Sequence, residues 1–332
     1  MKRWQFWLGA VVSIVFLFFA LRKVDFASAW QAALSARPSD LILAWLCLLA
    51  SYVVRAWRWR LILYSIKPVS LWTMWRVFVI GFMSNNILPV RMGEVVRAYV
   101  LGQVIETNAA SVLGTIAVER VLDVIMVLLL LVAGVAFGML GGIDSSVWLG
   151  AAMVGGLIGG VIVLAVWGEP LADWGERLVG RVSPSWAKKL ADLGRSFVLG
   201  LRSVGSLSRA ARITFWSAAS WGLFMAYVHF ILRAYDLNVG LAGVAFLLGL
   251  AGMGVAIPSA PGSVGTLEYA YIFGLGLLNV GDENTRASFA LTYHVLEWVT
   301  TLILGLFCLG QMGLSLRQVT SMVAQKRTKN DA

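Results

Sequence analysis

Apolar residues run along this chain in stretches longer than the buried face of a soluble helix. Segments without a charged side chain extend over Val124–Ile143, Ser145–Gly168, Ile213–Leu232, Leu237–Leu267 and Trp298–Leu316. Crossing a hydrocarbon layer of about 30 Å takes roughly 20 helical residues. The pattern predicts full spans at 4–21, 39–58, 108–140, 146–167, 212–234 and 287–315. Two further apolar segments, 71–101 and 241–280, carry proline and glycine at their centres, and these residues interrupt helices. The expected fold is an all-α polytopic membrane protein of about six full transmembrane helices plus two re-entrant helical hairpins.

Composition agrees: 59% of the 332 residues are hydrophobic and 13% charged, where soluble domains carry about a quarter charged. Helical runs fill residues 1–316, which reads as one transmembrane domain followed by a short tail, 317–332. Lys2 and Arg3 precede the first apolar stretch, but no small-x-small site precedes Arg22. An uncleaved first span is therefore expected. Cys47 and Cys308 lie in apolar runs without a partner at motif spacing, so neither disulfide framework, metal nor cofactor is expected.

The net charge of +10 does not indicate a nucleic-acid partner. The basic residues gather in a few loops and at helix ends, as orientation and headgroup contact require. With the N-terminus cytoplasmic, the loops 55–67 and 168–212 and the tail, all rich in Lys and Arg, fall inside. The opposite side receives Arg22, Lys23, Arg37, Arg233 and Arg286. The positive-inside rule thus predicts an inner (cytoplasmic) membrane protein with both termini cytoplasmic. This topology holds if each interrupted segment returns to the side it entered from, the first from the cytoplasm and the second from outside. Within the large inner loop, 171–205 alternates basic and apolar residues around Pro184. It reads as an interfacial amphipathic hairpin, with a solvated loop as the alternative. Trp57 and Trp59 among Arg55, Arg58 and Arg60 read as an interface belt.

The interrupted segments match each other. Pro89 is followed by Gly93 at four residues and Tyr99 at ten, and Pro261 by Gly265 at four and Tyr271 at ten. Ser84, Asn85 and Asn86 precede the first break, and Pro258, Ser259 and Ala260 the second; Glu94 and Glu268 follow. Three predicted spans separate the copies, so the copies face opposite ways. Inverted repeats with broken helices are a recurring transporter architecture, because unwound backbone supplies a polar site within lipid.

Charges inside predicted spans are expensive and signal function by default. Here they are Arg91, Glu94, Arg97, Glu119, Arg120, Asp123, Glu268, His294 and Glu297. Glu94 with Arg97, Glu119 with Asp123, and His294 with Glu297 are three or four residues apart and share helix faces. Arg91 and Arg97 suit a phosphate as forked donors. For Glu119, Arg120 and Asp123, structural ion pairing and cargo contact both stay open. So do a core role and a proton relay for His294. The chain has no GxGxxG, P-loop, HExxH or metal-spaced cluster, and two histidines in all, which excludes an ATP-driven pump within it. An intramembrane enzyme using Glu119, Asp123 and Glu268 is not excluded.

NNILPVRMGEVVRAYVL (85–101), AVERVLDVI (117–125) and IPSAPGSVGTLEYAY (257–271), together with RAWRWRLIL (55–63), resemble hallmark segments of the transmembrane-domain family of lysylphosphatidylglycerol synthases and flippases. The resemblance covers roughly 10–315. It implies a protein that moves lipids between leaflets, with two re-entrant hairpins around a central cavity. Its family positions here are Asn86, Pro89, Arg91, Gly93, Glu94, Arg97, Glu119, Arg120, Asp123, Pro261, Gly262, Gly265 and Glu268. The cytosolic aminoacyl-transferase domain of full-length synthases has no counterpart after Leu316, so synthesis of lysyl-lipid is not expected. The expectation is a non-enzymatic flippase for lipids with phosphate-containing headgroups. The alternatives are an intramembrane transferase or hydrolase acting on a lipid-linked sugar, and an accessory subunit of a lipid-synthesising enzyme.

Overall fold

The computed structural model describes residues 3–64, 66–88, 92–139, 156, 159, 206–316 and 318. Pro89, Arg91, most of the predicted span 146–167 and the amphipathic segment up to residue 205 lie outside the described residues. The described residues form ten α-helices and no strand. In chain order they are α1 (Arg3–Leu21), α2 (Phe26–Ser35), α3 (Pro38–Leu63), α4 (Leu71–Ile87) and α5 (Gly93–Val104). There follow α6 (Ala109–Gly134, prolonged by a π turn to Met139), α7 (Leu207–Ala234), α8 (Gly240–Ala256), α9 (Thr266–Leu277) and α10 (Glu283–Gln311). Among the described residues, α3, α6, α7 and α10 are long and apolar enough to cross a membrane, and α1 and α8 add shorter apolar segments. The protein is polytopic and all-helical.

The repeat extends well beyond the proline and glycine match. Helices α3–α6 and α7–α10 follow one plan: a long helix, a hairpin with arms of 17 and 12 residues in both copies, and a second long helix. The counterparts α3 and α7 pack against each other antiparallel. At one end the Arg37 amide donates to the Ala234 carbonyl at 3.0 Å and Arg233 pairs with Asp40 at 2.8 Å. At the other, Trp57 meets Trp216 with ring centroids 6.2 Å apart. Because equivalent helices run in opposite directions, the repeat is inverted. Each half also clasps the other, since α4 packs on α10 and α8 on α6. Small residues permit the approach: a Cβ on Gly249 would lie 2.8 Å from the Leu131 Cα, and one on Gly305 would lie 2.4 Å from the Met83 Cβ. In lipid, close backbone contact of this kind holds helices together, because apolar side chains gain little by leaving apolar solvent.

Both broken segments are re-entrant. Lys67, which precedes α4, donates to the Ile105 carbonyl just after α5 at 2.8 Å. Leu237, before α8, lies against Gly281, after α9. Each tip must satisfy its own backbone groups, because lipid cannot. In the first, Asn85 Oδ1 accepts the Gly93 amide at 2.7 Å. In the second, Glu268 Oε2 accepts the Gly265 amide at 2.7 Å. Ser13 of α1 completes the second tip, accepting from the Ala260 amide at 2.8 Å and donating to the Val264 carbonyl at 2.7 Å. Ser13→Ala strands both backbone groups. It is expected to cost about 1–3 kcal/mol, read as a lower melting temperature in detergent and faster amide exchange at 260–265.

Two sequence expectations need correction. Helix α3 does not end at residue 58 but runs to Leu63, and within RAWRWR only Trp57 and Arg60 are half-exposed as an interface belt requires. Trp59 and Arg58 are fully buried and Arg55 is 7% exposed: Arg58 pairs with Asp123, Trp59 donates to Thr115, and Arg55 lies among aromatic rings. Helix α2 was not foreseen. Asp25 caps it by accepting from the Ala27 and Ser28 amides. Phe26, Trp30 and Leu34 are exposed along one face, while Ala29 is buried and its carbonyl accepts from Ser288 on α10. A short helix with one exposed apolar stripe suits the membrane interface.

Candidate functional site

The two hairpin tips and the last helix of each half enclose a cavity of about 160 Å³. Helix α4 contributes Phe82, Asn85 and Asn86; α5 contributes Glu94; α6 contributes Arg120. The second half supplies Val255, Gly262, Ser263 and Leu267 from its hairpin, and His294, Glu297 and Trp298 from α10. The repeat accounts for how these groups meet. Arg120 and Asp123 are the twelfth and fifteenth residues of α6, and His294 and Glu297 are the twelfth and fifteenth of α10. Each half therefore presents a base and an acid three residues apart, on one helix face. Each hairpin adds an acid near the start of its shorter arm, Glu94 in α5 and Glu268 in α9.

Behind the cavity on the first-half side lies a network of ion pairs. Glu119 accepts from Arg97 at 3.2 and 2.7 Å through a bidentate fork, from Arg120 at 2.5 Å, and has Arg58 at 3.5 Å. Asp123 pairs with Arg58 at 2.7 Å and Arg120 at 3.2 Å, and accepts from the Trp221 indole at 3.3 Å. The Arg97 guanidinium also lies 4.0 Å over the Trp59 ring and 4.9 Å over Phe78. One network thus ties α3, α5, α6 and α7 together. Its members face one another rather than a ligand, so for Arg97, Glu119 and Asp123 the geometry favours structural ion pairing. Arg120 belongs to both, with its side chain 39% exposed.

On the second-half side, Glu268 is buried and bridges two groups. One carboxylate oxygen holds the Gly265 amide, and the other lies 2.5 Å from His294 Nδ1. His294 therefore stands between the tip of the second hairpin and the cavity. Glu297, one turn on, faces the cavity with His294 and Arg55 as its charged neighbours. Among the described residues, Glu94 receives one long hydrogen bond, from Asn85 at 3.5 Å.

Of the residues singled out from sequence, Asn86, Glu94, Arg120, His294, Glu297 and Gly262 line the cavity, and Glu268 stands one hydrogen bond behind it. Pro261 opens the short 3-10 turn of the second tip, and Gly93 and Gly265 hold the two tips. Arg91 and Pro89 lie outside the described residues. Phe82, Ser263 and Trp298 were not singled out, Asn85 was read only as part of the first break, and the network residue Arg58 only as part of an interface belt. A signal existed for Arg58: it lies three residues from Arg55, and such a pair shares a helix face once the helix continues.

Comparison with known proteins places this geometry in a family. The family described as the lysylphosphatidylglycerol synthase TM region matches residues 6–305. The chain is 24% identical over 221 residues to a UPF0104 membrane protein of Methanocaldococcus jannaschii, covering 67% of this chain and 90% of that protein. It is likewise 24% identical over 242 residues to a UPF0104 membrane protein of Methanothermobacter thermautotrophicus, covering 67% and 70%. Against Glycosyltransferase AglD of Haloferax volcanii it is 26% identical over 281 residues, which is 74% of this chain and 44% of that protein. The family match runs through both hairpins and both faces of the cavity, and the chain belongs to the lysylphosphatidylglycerol synthase transmembrane-region family.

Proposed function

We propose that the protein is a lipid translocator of the cytoplasmic membrane, with both termini cytoplasmic, in which a polar headgroup crosses between the hairpins while the acyl chains stay in lipid. The observation that carries this reading is the cavity itself, lined by polar and charged groups from both halves of an inverted repeat within an apolar helical body. Passage of the headgroup through hydrocarbon is the costly step of leaflet exchange. A site assembled from oppositely oriented halves can face either leaflet by rocking one half against the other. A phosphate-containing headgroup would meet Arg120, the one arginine among the described residues that line the cavity.

The test is reconstitution into liposomes carrying fluorescent phosphatidylglycerol, with the labelled fraction in each leaflet read by chemical quenching. The wild-type protein is expected to speed exchange. Glu94→Gln and Glu297→Gln, at positions that make no ion pair among the described residues, are expected to slow it about tenfold, the effect of roughly 1.4 kcal/mol at the barrier, with the melting temperature of Glu94→Gln unchanged. Unaltered leaflet distribution across a panel of phospholipids, with folded protein present, would sink the proposal.

The likeness to a protein named as a glycosyltransferase favours a second reading, in which this membrane region serves an enzyme acting on a lipid-linked sugar. Appearance of a lipid product of altered mass, when protein and lipid-linked sugar are mixed, would decide for it.

A further inference from the structure

The arginines beside the cavity are not equivalent. Arg58, Arg97 and Arg120 each give their forks to Glu119 or Asp123. Arg55 is 7% exposed and, unlike those three, makes no ion pair or hydrogen bond among the described residues; an Nε buried without a partner it shares with all of them. Its neighbours are aromatic: the guanidinium carbon lies 4.2 Å from the Phe224 ring centre, 5.6 Å from Trp221 and 5.9 Å from Phe82. Asp123 and Glu297 act on it through space only. Phe82 and Glu297 also line the cavity, so the Arg55 guanidinium stands one side chain back from it.

A buried charge without an ion pair is unfavourable, and aromatic faces compensate it in part while leaving its N–H donors unused. A guanidinium presents those donors as a planar fork that matches two oxygens of a phosphate. The rings hold the plane of Arg55, so an incoming anion meets an oriented donor set, and preorganisation of this kind strengthens binding. Glu297 balances the charge of the empty site without reaching ion-pair distance.

We propose that Arg55 is the phosphate-binding residue of this cavity: a lipid phosphodiester or phosphomonoester enters beside Glu297, turns the Phe82 ring aside and takes two donors from Arg55. The inference rests on the translocator reading for its choice of a lipid as the source of the phosphate. Of the two arginines the sequence offered to a phosphate, Arg97 has its fork filled by Glu119 and Arg91 lies outside the described residues; the inference adds Arg55, which the sequence placed in an interface belt.

Binding is measured on the full chain in detergent micelles by native mass spectrometry. The probes are phosphatidylglycerol, diacylglycerol of the same chains, and inorganic phosphate as competitor. Wild type is expected to prefer phosphatidylglycerol over diacylglycerol by about tenfold or more, the range of a charge-assisted hydrogen bond. Arg55→Gln is expected to abolish the preference. Arg55→Lys, which keeps a cation among the rings but loses the fork, is expected to lose most of it, and it decides the matter should Arg55→Gln not fold. Equal retention of both lipids by wild type, or an undiminished preference in a folded Arg55 variant, overturns the proposal. Inorganic phosphate is expected to compete only in large excess, and displacement at equal concentration overturns the lipid as its source. A protein that binds phosphatidylglycerol through Arg55 yet moves no lipid sinks the translocator reading alone.

Discussion

Replacing Glu119 with glutamine is expected to lower the stability of the folded protein by about 3–5 kcal/mol, the range for removing one partner of a buried ion pair. Glu119 is fully buried with three guanidinium groups around it. Glutamine keeps the shape but cancels the charge, and its amide turns two donors toward groups that are themselves only donors. Arg97 suffers most, because Glu119 is its one ion-pair partner among the described residues. Thermal unfolding in detergent checks this, with Glu94→Gln as the control. Glu94 faces the cavity and, among the described residues, holds a single long hydrogen bond, at 3.5 Å, so its loss should shift stability by less than about 0.5 kcal/mol. If Glu119→Gln unfolds at the wild-type temperature but slows lipid exchange, Glu119 belongs to the cargo path and not to the structural network.

How much of this was legible follows from how local each signal is. Pro261, Gly265 and the spacing to Tyr271 repeat Pro89, Gly93 and Tyr99, a local match that located both hairpins; their inverted relation came from the count of predicted spans between them, and the antiparallel contact of α3 with α7 agrees with it. Glu119 and Asp123, four apart in sequence, were legible as one helix face. Their partners were not. Arg97 is 22 positions from Glu119, and Arg58 is 65 positions from Asp123. No periodicity shows that such charges neutralise each other, so a closed network and a row of cargo contacts read alike along the chain. Arg55 and Arg58 follow an apolar run that already suffices to span, which is why RAWRWR passes for the end of a helix. Only partners on α6 and α7 make its burial tolerable. Helix α2 escaped because its ten residues are too few for a span, and its stripe at Phe26, Trp30 and Leu34 lies between basic residues that mark a loop.

Alanine at either hairpin tip is expected to cost about 3 kcal/mol or more, for different reasons at the two equivalent positions. Gly265 has φ +89°, where a side chain costs about 1 kcal/mol or more. A Cβ there would also lie 2.4 Å from the Ser13 carbonyl oxygen. Gly93 opens α5 and is not among the positive-φ residues. Its constraint is wholly steric, since a Cβ would lie 2.1 Å from the Gly81 carbonyl oxygen and 2.5 Å from Asn85 Oδ1. The latter is the atom that accepts the Gly93 amide, so the substitution pries apart the arms and breaks the bond that closes the tip. Gly222 is the control: nothing lies within 4 Å of a Cβ there, and alanine inside that helix should gain about 0.5–1 kcal/mol. Melting temperatures of the three variants separate these effects, and a Gly93→Ala protein as stable as wild type would mean that α4 and α5 do not approach so closely. The atoms obstructing Gly265 and, most closely, Gly93 are backbone carbonyl oxygens, so trimming a neighbouring side chain rescues neither variant. Each should fail at closure of the hairpin whose tip bounds the cavity.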